Sequence, residues 1–122
     1  MSDLQCPAII VMLTPEALEH ARANISRLSA VVAAASLEPG SRALGQVQRL
    51  AAGHGCQVER ADLDDAAALS EHVEQLADLY RGETVAVIAP TAAVCAALRH
   101  TAAADRPIAI AVDSSGWKLL PS

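Results

Sequence analysis

Aromatic side chains are almost missing from this chain: 2% of 122 residues, with no Phe, one Tyr and one Trp. A surface so poor in stacking side chains argues against nucleic-acid binding by stacked bases. The core is left to Ala, Val, Leu and Ile, which lets helices lie close to a sheet. Basic runs are also missing. Nine Lys and Arg stand against 14 Asp and Glu, a net charge of −5 that opposes attraction to nucleic acids and anionic membranes. The expected partners are therefore small molecules or proteins.

The three cysteines, Cys6, Cys56 and Cys95, are far apart and odd in number. They fit neither a disulfide framework nor a zinc pattern and read as idle thiols of a reducing cytoplasm. No apolar run is long enough to cross a bilayer, and residues 1–7 lack the basic-then-apolar pattern of a signal peptide. A cytoplasmic protein without metal or cofactor is expected.

What is present is alternation of apolar runs with helical periodicity. Length and composition suit one globular domain over residues 1–122. AIIVML, residues 8–13, is a continuous apolar strand of the kind covered on both faces. Thr14, Pro15 and Glu16 then suit a helix start. Leu18, Ala21, Ile25 and Leu28 share one face of the predicted helix. AVVAAA (30–35) is a second strand, SLEPGS (36–41) a turn, and residues 42–52 a helix burying Leu44, Val47, Leu50 and Ala51, ended by Gly53 or Gly55. Residues 57–59 read as a short edge strand.

Asp62, Asp64 and Asp65 lead into a helix carrying Leu69, Val73, Leu76 and Tyr80 at helical spacing, stopped by Gly82. TVAVIA (84–89) is another central strand, followed by a helix from Thr91 that buries Val94, Leu98 and Thr101 or Ala102. Residues 107–112 and 117–120 close the chain as two strands across a turn at residues 113–116. This order predicts an α/β protein: a three-layer α/β/α sandwich with a mostly parallel sheet and a C-terminal antiparallel edge hairpin. A flavodoxin-like domain with all strands parallel is the alternative.

Single residues carry little chemistry. His20 and His72 fall inside predicted helices, His54 sits between two glycines, and His100 lies late in the last long helix. None falls at the C-terminal edge of a strand, and no pair has metal-ligand spacing. The Asp62, Asp64 and Asp65 group lacks the spacing of a calcium loop. No GxxxxGK or GxGxxG occurs. Trp117 reads as packing over the sheet edge, with a partner anchor as the alternative.

Four segments, in order, carry a resemblance. LTPEALEHARANISRL (13–28) is similar to a helix of the form LTPEG…QA…LA..L, and AVVAAASLEPGSRALGQVQRLA (30–51) to a strand, an SP-x-x-RA turn and a helix. GETVAVIAPTAAVCAALRHTA (82–102) is similar to GETVLVVSHGGVIRALLAHLL, and PIAIAVDSSGWKLL (107–120) to a closing pair of strands. Together they resemble the histidine phosphatase (phosphoglycerate mutase-like) superfamily in its short phosphohistidine-phosphatase form. That family's first strand ends in Arg-His-Gly, whose His becomes phosphorylated; here Met12, Leu13 and Thr14 stand there. Its second His aligns with Pro90, which has no nitrogen able to exchange a proton or bind phosphate. The family's general acid has no clear match among Glu59, Asp62, Asp64 and Asp65.

Arg42-Ala43 survives from the phosphate clamp, two residues further from Ser36 than the usual spacing. The resemblance therefore implies a pseudo-phosphatase: a non-catalytic domain binding a small anion such as phosphate, or a protein partner. The vestigial anion pocket would draw on Arg42, Thr14, Ser36 and Thr91, through a guanidinium and helix-start donors. Two alternatives stand beside it. One is a hydrolase with an altered mechanism using Cys95, Asp62 or Ser36; the other is a structural subunit of a homo-oligomer.

Overall fold

A computed structural model describes residues 7–18, 28–98, 107–113 and 116–120. In chain order its elements are β1 (Ala8–Leu13), β2 (Ala30–Ala34), α1 (Arg42–Gly53), β3 (Val58–Ala61), α2 (Ala66–Leu79), β4 (Thr84–Ile88), α3 (Thr91–Leu98), β5 (Ile108–Asp113) and β6 (Gly116–Leu119). The six strands form one mixed sheet in the order β3-β2-β4-β1-β5-β6. The first four are mutually parallel; β5 runs antiparallel to β1, and β6 antiparallel to β5. The α/β class and the C-terminal edge hairpin are as the sequence predicts, and the all-parallel alternative is excluded.

Alternation along the strands creates two cores. Ile10 and Met12 of β1, Val32 of β2 and Val85 and Val87 of β4 face one side, under Leu69, Val73 and Leu76 of α2 and Ala93 and Val94 of α3. Val11, Leu13, Val31, Ala33, Ala86 and Ile88 face the other, under Leu44, Val47, Leu50 and Ala51 of α1 with Ala17, Leu18 and Leu28. Both faces are covered, so β1, β2 and β4 read as continuous apolar runs rather than alternating ones. All five residues of β2 are buried. Alanine is a poor strand former, but a position between two neighbours with helices on both faces outweighs its propensity.

Right-handed crossovers decide which helix covers which face. The chain steps outward from β1 to β2 to β3; Ala17 and Leu18 after β1, Leu28 before β2 and the helix α1 between β2 and β3 pack on the second face. It then returns through α2 to insert β4 between β2 and β1, and α3 follows on the first face.

Local signals fix the ends. In the turn before α1, the Ser41 N–H donates to Glu38 O at 3.0 Å, and Gly40 has φ +81° behind Pro39. This is the pattern of a type II turn, which needs glycine at its third position. Ser41 then caps α1, its hydroxyl accepting from Leu44 N–H at 3.2 Å. Of the two glycines expected to stop α1, Gly55 does so. It has φ +71°, its N–H reaches Ala52 O at 3.2 Å, and the next N–H, of Cys56, reaches Ala51 O at 2.8 Å. That pair of bonds is a Schellman cap.

A Cβ at Gly55 would meet nothing within 4 Å. The cost of Gly55→Ala is therefore backbone strain alone, about 1–2 kcal/mol. Urea unfolding should show that loss with an unchanged m-value.

Differences from the sequence reading are small and have causes. Pairing of Val58 to Ala61 with Val31 to Ala34 extends β3 past the predicted 57–59. β5 starts at Ile108 because Pro107 has no N–H for the ladder. Most of the helix predicted between β1 and β2, with Ala21, Ile25 and His20, lies outside the described residues. So do Cys6, His100, Thr101, Ala102, Ser114 and Ser115. Leu18 and Leu28, which flank that segment, are buried as the predicted face requires.

Candidate functional site

Open parallel sheets bind ligands in the crevice beyond the C-terminal ends of their strands, where the chain departs to opposite faces. Here β4 sends its chain to the first face while its neighbours β1 and β2 send theirs to the second. The crevice is bordered by Thr14 and Glu16 after β1, Ser36 and Glu38 after β2, and Pro90 and Thr91 after β4. Asp62, Asp64 and Asp65 lie further along the same rim, after β3.

Register brings the two motif positions of the resemblance side by side. Leu13 pairs with Ile88, and the Ala89 N–H donates to Leu13 O at 3.0 Å. Thr14 thus sits beside Ala89 and Pro90. Neither position carries a proton-transfer group. Met12 and Leu13 are buried in opposite cores at 1% and 0% exposure, and Thr14 at 2%. The Thr14 hydroxyl accepts from the Ala17 N–H at 3.2 Å, and the Thr14 carbonyl accepts from the same N–H at 3.0 Å. Pro90 is half-buried, and its carbonyl opens α3 by accepting from Val94 N–H at 3.0 Å.

The four candidate anion-binding residues are distributed differently. Thr14 and Thr91 flank the β1–β4 seam, but the Thr91 hydroxyl donates to the Glu16 carboxylate at 2.8 Å. An anion already occupies that donor, and it comes from the chain itself. Ser36 is exposed in the turn that follows β2. Arg42 is exposed at the start of α1, whose helix covers the second face, whereas Thr91 opens a helix on the first.

Sequence reasoning missed the principal cation of this rim. Arg60 of β3 reaches across to β2, and its Nη2 donates to Ala34 O at 3.0 Å, Ala35 O at 3.1 Å and Leu37 O. Its role is to hold the carbonyls where β2 turns toward α1. A charged residue on an exposed edge strand gives no local signal of this, because its acceptors are 23 to 26 residues away. The acidic groups are more ordinary. Asp65 caps α2, accepting from Ala68 N–H at 2.8 Å, and Asp62 accepts from Asp64 N–H at 3.3 Å.

The other candidate groups lie elsewhere. Cys95 is half-buried within α3, and the Cys56 thiol points at Leu28 O (3.5 Å) and His54 O (3.7 Å) beyond α1. His54 is the C-cap of α1, and His72 is half-buried on α2. Among the described residues no group of three His, Cys, Asp or Glu could hold a metal ion, and no helix is long and apolar enough to cross a membrane.

These features define an α/β protein with a mixed six-stranded sheet, in which Thr91 is hydrogen-bonded to Glu16 beside the β1–β4 seam. No family model, curated protein or solved structure matches the chain.

Proposed function

We propose that this chain is a non-catalytic, cytoplasmic domain of the phosphoglycerate mutase-like kind, whose work is to bind a protein partner. The single observation that carries this reading is the content of the crevice. Thr14, Pro90 and Thr91 stand where transfer chemistry would need an imidazole, and Thr91 is engaged by Glu16. A phosphoryl group in transit needs an acceptor atom oriented by a fixed neighbour. Among the described residues no histidine stands at these strand ends to fill that part. The resemblance of the four segments supports the family, together with the adjacency of positions 14 and 90 that the β1–β4 register brings about.

Of the two binding roles, the protein partner is favoured over a small anion. Glu16, Glu38, Asp62, Asp64 and Asp65 give the rim a carboxylate lining, and an incoming phosphate would have to displace Glu16 from Thr91. Anion binding through Arg42, Thr14, Ser36 and Thr91 is the weaker reading for that reason. The test is phosphomonoester turnover by the purified chain, with p-nitrophenyl phosphate as substrate; no turnover above buffer is expected.

A further inference from the structure

Away from the crevice, an open groove of about 520 Å³ lies between α2, α3 and the C-terminal hairpin. Glu74, Ala97 and Leu98 form one wall, and Ile110, Trp117 and Leu119 the other. Trp117 is half-buried, and Leu119 is 50% exposed despite being a large apolar residue. Both project from β6 on the groove side, with Lys118 between them on the opposite side.

The backbone of β6 has a matching polarity. Leu120 N–H donates to Ala109 O at 2.9 Å, and Ala111 pairs with Lys118. Inward and outward groups alternate along an antiparallel strand, so Gly116, Lys118 and Leu120 turn theirs toward β5. Trp117 and Leu119 turn their N–H and C=O away from the sheet, and among the described residues no strand pairs with them. The same two residues thus offer apolar side chains to the groove and hydrogen-bonding groups at the edge. The opposite edge differs: β3 exposes Glu59 and Arg60, and Arg60 folds over the β2 terminus.

We propose that β6 is a docking edge for an extended segment of another protein. The segment adds as a seventh strand antiparallel to β6, with apolar side chains opposite Trp117 and Leu119 and a carboxylate opposite Lys118. This rests on the protein-binding reading above and names the surface and the partner's chemistry. Exposed edges commonly serve such strand addition. Charge selects the occupant. A second copy paired about Lys118 would match Trp117 with the copy's Leu119, but would oppose two Lys118 side chains in the closely spaced, non-hydrogen-bonded position. Like charges directly opposite destabilise a pair, and lysine on an edge strand is a common guard against self-pairing. A carboxylate there turns the repulsion into attraction. Glu74 lies on the groove side of β6, so it does not compete for that position.

The probe is the capped peptide STVEVTS, titrated into the isotopically labelled full chain alongside its lysine-centred twin, STVKVTS. We expect STVEVTS to shift the Trp117 and Leu119 amides and slow their hydrogen exchange. The twin should bind at least about fivefold more weakly, and Lys118→Glu, an exposed change, should reverse the preference. Neither peptide moving these amides would overturn the proposal, as would equal binding of both peptides. Protection of the same amides that grows with protein concentration alone would also overturn it, in favour of a second copy. Phosphatase turnover would sink the non-catalytic reading without touching these amides, whereas failed peptide binding leaves that reading of the crevice intact.

Discussion

Ile10→Ala is expected to lower stability by about 3–4 kcal/mol, within the usual range for truncating a fully buried Ile. Ile10 is at 0% exposure on β1, between Val85 of β4 and Ile110 of β5, under the α2–α3 layer. Its neighbours are short and branched, and the chain has no Phe whose ring could swing into the space. The cavity would therefore persist. A domain of this size has roughly 5–15 kcal/mol in all, so this is a large fraction of it. The melting midpoint should fall by roughly 10–15 °C. Leu119→Ala, at a half-exposed site, should cost well under about 1 kcal/mol. Urea unfolding of both variants gives the comparison. A loss below about 1 kcal/mol for Ile10→Ala would mean the β1 core is not packed as described.

Arg60→Met should have the next largest effect, about 1.5–2.5 kcal/mol, from loss of charge-assisted bonds to backbone carbonyls. The guanidinium gathers the carbonyls of Ala34, Ala35 and Leu37 at the point where β2 ends. Methionine keeps most of the apolar stem and removes every donor. The consequence should be local as well as global: the Leu37 and Ser41 amides, bonded within that turn, should exchange faster with solvent. Arg60→Lys should recover only part of the loss, because an ammonium is a point charge and not a planar fork. Unchanged unfolding and unchanged exchange in Arg60→Met would show that these bonds contribute nothing in solution.

How much of this could be read from the chain follows from the range of each interaction. β1 coincides with its apolar run at residues 8–13. Helix α1 starts where predicted because its periodic face, Leu44, Val47 and Leu50, begins directly after turn residues. Strand β3 was the least legible element, since its length is set by pairing with β2 and not by its own residues. At the rim, the strand ends and the absence of histidine from them were legible. Which side chains meet there was not. Glu16 and Thr91 are 75 residues apart and join only because β4 inserts beside β1. Arg60 reads as a solvated edge charge until β2 is placed next to it. Ser41 looked like the last residue of a turn, and its capping role depends on the helix that follows.

The central claim is that, among the described residues, no imidazole stands at the crevice to take up a phosphoryl group. The most direct measurement is turnover of p-nitrophenyl phosphate by the purified chain, followed by intact-mass analysis of the protein. The account predicts hydrolysis equal to buffer and an unmodified mass. Turnover abolished by Arg42→Ala, or a phosphorylated His20, His54, His72 or His100, would contradict it.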